Sequence, residues 1–132
     1  MKKYLIILLL SIISCNTKSK LVTGIEYRII KIDTIENIYL INAEKADISI
    51  KNTSIIKIAS AKTSDKCKKS NLLKVNQIYK FNLESLYPKN FVSHNYLRGI
   101  TYNGVFVPFE KNINFKRDLF ITNDVEGLCF KN

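Results

Sequence analysis

From Val22 onward, apolar and polar residues alternate with a period near two, in short runs separated by polar breaks. Gly24 to Asp33 is rich in Ile. Its alternation slips where Ile29 and Ile30 adjoin, which predicts a bulge or a strand buried on both faces. Asn37 to Asn42 forms a second run. Ala46 to Lys51 alternates cleanly, with Ala46, Ile48 and Ile50 on one face, and Ser54 to Ala61 forms a fourth run. Residues 62–71 are a basic, polar loop, and Val75-Asn76-Gln77 reads as a turn. Ile78 to Glu84 alternates again, with Tyr79, Phe81 and Leu83 predicted to point inward. Residues 85–98 look irregular. Ile100-Thr101-Tyr102 and Val105-Phe106-Val107 flank Asn103-Gly104, a pair that supplies the positive φ angles of a type I′ hairpin turn. Leu119 to Thr122 and Leu128 to Phe130 supply the last strands.

No stretch after Cys15 carries a sustained helical period, and Ser70 to Lys74 holds one helical turn at most. The spacing of the runs predicts an all-β fold of about six to eight short strands. It is either a small closed or partly open antiparallel β-barrel, OB-like, or a β-sandwich. A barrel is favoured because closure removes exposed strand edges.

The first residues follow a different pattern. Lys2 and Lys3 precede an apolar stretch from Tyr4 to Ile13 that is broken only by Ser11, and the chain turns polar at Asn16. A basic start, a short apolar run and a small-residue boundary describe an export signal. The run falls short of the roughly 20 apolar residues a spanning helix needs. Ile12-Ile13-Ser14-Cys15 resembles the bacterial lipobox. The resemblance implies cleavage before Cys15 and a diacylglycerol thioether on its sulfur. The alternative is an ordinary secretory signal with Cys15 in a disulfide. Residues 1–14 are then a signal peptide, 15–21 a polar tether and 22–132 one β domain. Asn16 in place of Asp favours outer-membrane sorting. The lack of an acidic cluster after Cys15 favours the periplasmic face over the cell surface, so the expected location is the cell envelope.

Composition narrows the chemistry. The 132 residues are 46% hydrophobic and 24% charged, which excludes a wholly disordered or collagenous chain. Lys and Arg number 21 against 11 Asp and Glu, a formal charge of +10. Loss of Lys2 and Lys3 with the leader leaves 19 basic residues against 11 acidic, a net +8 over 118 residues.

With Cys15 lipidated, Cys67 and Cys129 remain, and an even pair in an exported domain reads as a disulfide. The alternative is two free thiols, with flanking lysines making Cys67 reactive. Two Cys and one distant His offer no zinc-ligand spacing.

Several segments between 25 and 84 resemble small lipoproteins of Bacteroidota. They are Tyr27, Lys31-Ile32-Asp33, Asn37, Tyr39-Leu40-Ile41, Lys57-Ile58, Cys67 and the run Leu73 to Leu83. These are strand and turn residues. The resemblance implies a compartment and a fold and adds no mechanism.

Candidate chemistry is sparse. His94 is the one histidine, and Ser93 beside it in an extended segment points away, so no catalytic triad is indicated. The acids Glu84, Glu110, Asp118, Asp124 and Glu126 show no spacing that singles out a pair. No Gly-rich phosphate loop and no nucleotide, haem or flavin motif is present, so no cofactor is expected. Basic residues among aromatics would suit single-stranded nucleic acid, but an exported protein rarely meets it, and none is expected as a partner. The reading that remains is a non-catalytic binding module. Its loops 85–98 and 110–117, through Tyr87, His94, Tyr96, Arg98, Lys111 and Arg117, would contact an envelope protein or an acidic polymer. The alternative is an envelope-polymer hydrolase using paired carboxylates.

Overall fold

The structure is a computed structural model that describes residues 24–47, 54–90 and 97–131. The expected leader, Cys15, most of the tether, His94, Tyr96 and most of the predicted strand from Ala46 to Lys51 lie outside those residues. Ala46 and Asp47, which are described, are not in a strand.

Strand β1 spans Ile25–Ile35, β2 Ile38–Lys45 and β3 Ile56–Ala61. A single 3-10 turn at Lys69–Asn71 precedes β4 at Ile78–Phe81 and β5 at Leu83–Ser85. Then come β6 at Gly99–Tyr102, β7 at Val105–Pro108 and β8 at Phe120–Thr122. A last hairpin pairs β9, Val125–Glu126, with β10, Cys129–Phe130.

Six strands form one curled sheet in the order β4-β1-β2-β3-β8-β5, a half-barrel. Its two edges are consecutive pieces of chain, since only Asn82 separates Phe81 from Leu83. The predicted continuous strand from Ile78 to Glu84 is thus bent at one residue. Its first half pairs with β1 and its second half with β8. The Asn82 N–H donates to Asp124 Oδ2 at 2.7 Å and fixes the bend. With β4 and β5 taken as one bent strand, the circular order is that of a five-stranded Greek-key barrel of the OB type. The barrel is partly open at the β3–β8 seam, where Ile58 with Phe120 is the one ladder pair and Ile55 with Phe115 adds a bridge. Both contacts are parallel, so the sheet is mixed where an all-antiparallel one was expected. A parallel neighbour is possible because the bent strand β4–β5, antiparallel to β8, returns the chain to the end of the barrel where β3 begins.

The slip at Ile29-Ile30 is a bulge: the β1–β2 register shifts between Ile29 and Lys31. At that point β1 also grips the turn before β4. Asn76 N–H donates to the Ile29 carbonyl at 2.8 Å, and Ile29 N–H donates to the Gln77 carbonyl at 3.1 Å.

Both faces of β2 and β3 are buried. Ile41, Ala43, Ile56 and Ile58 point into the barrel with Tyr27, Ile29, Phe81 and Val125. Ile38, Leu40 and Ala59 point outward, under Ile100, Val105 and Val107 of the β6–β7 hairpin and beside Leu119. The hairpin turns at Asn103 (φ 50°) and Gly104 (φ 78°), as the Asn-Gly pair predicts. A disulfide joins Cys67 to Cys129, with Cα atoms 5.6 Å apart. It ties the polar loop after β3 to β10, and Leu73 N–H donates to the Leu128 carbonyl at 2.8 Å alongside it.

Candidate functional site

OB-type barrels bind ligands on the outer face of their second and third strands and through the neighbouring loops. Here that face is taken. The β6–β7 hairpin, inserted between the fourth and fifth barrel strands, packs its apolar side onto Ile38, Leu40 and Ala59. The open ground is the rim around the hairpin's base, where the loops after β5 and β7 meet.

A cleft of about 390 Å³ lies there, lined by Tyr87, Lys116, Arg117 and Asp118. Behind it the rings of Tyr87 and Phe109 lie 6.4 Å apart with planes 12° from parallel. The Arg117 guanidinium sits 5.1 Å from the centre of the Phe109 ring. One of its nitrogens, Nη2, donates to the Leu97 carbonyl at 2.8 Å. The arginine is therefore oriented by a ring and a carbonyl, and most of its five donors remain directed elsewhere. Lys116 Nζ lies 5.3 Å from the Phe120 ring centre.

The acid lining the cleft is already committed. Asp118 is buried; its Oδ2 accepts from Ser85 Oγ at 2.5 Å and its Oδ1 from Leu119 N–H at 2.7 Å. Ser85 Oγ in turn accepts from Tyr87 N–H at 3.1 Å. Asp118 thus holds the loop after β5 against β8, and the cleft lining carries two cations against this one carboxylate.

Beside the cleft, Lys57 projects from the outer face of β3 among apolar neighbours. Its ammonium donates to Glu110 Oε1 at 2.7 Å and lies 5.6 Å from the Phe115 ring centre. Asn42, its cross-strand neighbour, is also buried, and its Oδ1 has no hydrogen-bond partner.

Of the residues singled out from the sequence, Tyr87 and Arg117 meet in this cleft. Arg98 is exposed at the hairpin base, where its carbonyl accepts Phe109 N–H at 2.8 Å. Lys111 is exposed on the 110–117 loop, apart from the cleft lining. Lys116 and Asp118 complete the lining; Lys116 was not singled out, and Asp118 was weighed only as a candidate hydrolytic acid. Phe109, behind the cleft, has nothing local to mark it, and Lys57 could have been found as a lysine inside an apolar run.

Of the acids weighed for hydrolysis, Glu84 is exposed on β5, and the others are held in separate local bonds. Glu110 pairs with Lys57, and Asp124 takes Asn82 N–H and Thr122 Oγ1. Glu126 pairs with Lys131 at 3.0 Å. Lys131, hydrogen-bonded to it, and a second hydrogen bond with Asp65 hold the Glu126 carboxyl below the usual glutamate range. A different cleft, of about 490 Å³, does bring two acids together, Glu26 and Asp47, with Lys45. Among the described residues no group of three or more metal-ligating side chains occurs.

No protein-family model, no curated protein and no solved structure matches the chain.

Proposed function

We propose that this chain is a lipid-anchored, non-catalytic binding module of the bacterial cell envelope. It is tethered by Cys15 to the outer membrane, faces the periplasm, and takes an anionic group of an envelope polymer or partner protein in the Tyr87–Lys116–Arg117 cleft. The observation that carries the reading is the charge there: Lys116 and Arg117 line the cleft against a single carboxylate, Asp118, which is buried and hydrogen-bonded to Ser85 Oγ and Leu119 N–H, so the lining is net positive. Charge-assisted contacts from an oriented arginine are the strong kind, and stacked aromatics beside it suit a sugar or peptide backbone. The Cys67–Cys129 disulfide supports an oxidising compartment. The covered outer face of β2 and β3 supports the absence of a nucleic-acid role, since that is the surface on which OB-type barrels bind oligonucleotides.

The test uses two anionic probes, an oligogalacturonate and a polyglutamate peptide, titrated at low and physiological salt. Binding should weaken with salt and fall about tenfold in Arg117→Ala, the size expected for one charge-assisted contact. Equal affinity of the parent and Arg117→Ala for both probes would remove the cleft from the reading.

A further inference from the structure

The turn at 110–117 is fastened along its length. Ile55 N–H donates to the Asn114 carbonyl at 2.7 Å, and Lys116 N–H donates to the Ile55 carbonyl at 2.8 Å. Asn112 Oδ1 accepts Asn114 N–H at 2.9 Å, and the Asn112 carbonyl accepts Phe115 N–H at 3.1 Å. These bonds hold Ile113 at the tip, 95% exposed, where turn chemistry ordinarily places small or polar residues.

A single exposed apolar residue is common on any surface. This one sits in a particular setting. Lys111, Lys116 and Arg117 lie within four positions of it, and the one acid of the segment, Glu110, is paired with Lys57. An apolar tip among cations complements an anionic bilayer: the cations meet headgroup phosphates while the tip enters the acyl boundary. The chain outside the described residues strengthens the case. Nine residue steps separate Cys15 from Gly24, at most about 30 Å of extended chain. A lipid on Cys15 would keep the domain that close to the membrane, where a weak second contact is sufficient because its effective concentration is high.

We propose that the 110–117 turn is a second membrane contact, with Ile113 seated in the bilayer interface and Lys111 against anionic headgroups, orienting the domain on its anchor. The proposal rests on the lipid-anchor reading; its two contact residues, Ile113 and Lys111, lie outside the lining of the cleft, which Lys116 and Arg117 share.

The protein contains no tryptophan, so Ile113→Trp introduces a unique reporter. The full chain is matured in a lipoprotein-processing host. It is then reconstituted into vesicles of phosphatidylethanolamine and phosphatidylglycerol, three to one, with and without brominated acyl chains. The expected result is a blue-shifted emission at position 113 that brominated lipid quenches and acrylamide reaches poorly. Phe106→Trp, at a second exposed site, should stay water-like. A lipidated Cys15 by mass spectrometry with water-like emission at position 113 overturns this proposal alone. An unmodified Cys15 overturns the anchor reading and this one with it. A blue shift that appears without vesicles and grows with protein concentration assigns the tip to self-association and also overturns it.

Discussion

The Lys57 ammonium lies 2.7 Å from a Glu110 carboxylate oxygen across two segments 53 positions apart, with the lysine side chain 10% exposed and the glutamate 46%. The pair is asymmetric. Losing Glu110 strands a buried cation, while losing Lys57 frees a carboxylate that water can reach. Glu110→Ala should therefore lower stability by about 1–2 kcal/mol, less than for a fully buried pair because Glu110 is half in solvent. Lys57→Met, which keeps the volume and removes the charge, should stay within about 1 kcal/mol of the parent. Urea denaturation of the two variants checks both. The reverse order of losses would contradict the asymmetry.

The Cys67–Cys129 bond closes a loop between residues 62 positions apart. In the chain-entropy account, opening it lowers stability by about 4 kcal/mol. Reductant should shift the denaturation midpoint of the parent strongly. The double variant Cys67→Ser/Cys129→Ser should start at the lower midpoint and ignore reductant. A parent indifferent to reductant would mean the bond contributes little.

Two glycines of the same hairpin make opposite demands. Gly104 has φ 78° and nothing within 4 Å of where a Cβ would stand, so Gly104→Ala meets only backbone strain, about 1 kcal/mol. Gly99 is buried against the partner strand. A Cβ there would run into the Val107 carbonyl oxygen and come within 2.6 Å of the Phe106 ring. Gly99→Ala should cost about 3 kcal/mol, since backbone cannot move aside as a side chain can. Thermal melts of the pair should separate clearly. Similar melting temperatures would show the hairpin to be looser than its packing on Ile38 and Leu40 suggests.

Glu126 ionises more readily folded than unfolded, chiefly through its hydrogen bond to Lys131. A depressed carboxyl adds stability above its unfolded pKa and loses it as pH falls through the folded value. The carboxyl is exposed, so the effect on global stability is small. It is best read at the residue. In an NMR titration the Glu126 carboxyl should titrate below ordinary glutamates, and Lys131→Ala should move it back up. An unchanged titration in Lys131→Ala would assign the shift to another group.

Some of this architecture is legible residue by residue. The bulge shows because Ile29 and Ile30 adjoin in an otherwise alternating run, and the hairpin turn shows because Asn103-Gly104 tolerates positive φ. The bend at Asn82 is hidden. Phe81 and Leu83 keep the same inward parity on either side of it, so the pattern reads as one strand. Strand β9, two residues long, is too short for periodicity to register. Half of the cleft was visible in Tyr87 and Arg117. Lys116 and Asp118 were not, and neither was Phe109 behind them, since the roles of Asp118 and Phe109 depend on Ser85 and on the Tyr87 ring across the fold.

The order of side chains alone determined most of the longer strands, the Asn103-Gly104 turn and the inward faces of those strands, because those follow from the two-residue period of extended chain and the φ preferences of a few residues. It also marked Cys67 and Cys129 as partners. The tertiary structure alone decided that β3 runs parallel to β8, that the two halves of one bent strand close opposite edges of the sheet, and that a hairpin covers the outer face of β2 and β3. Those outcomes depend on which buried surfaces meet across long stretches of chain, and no local pattern carries that information.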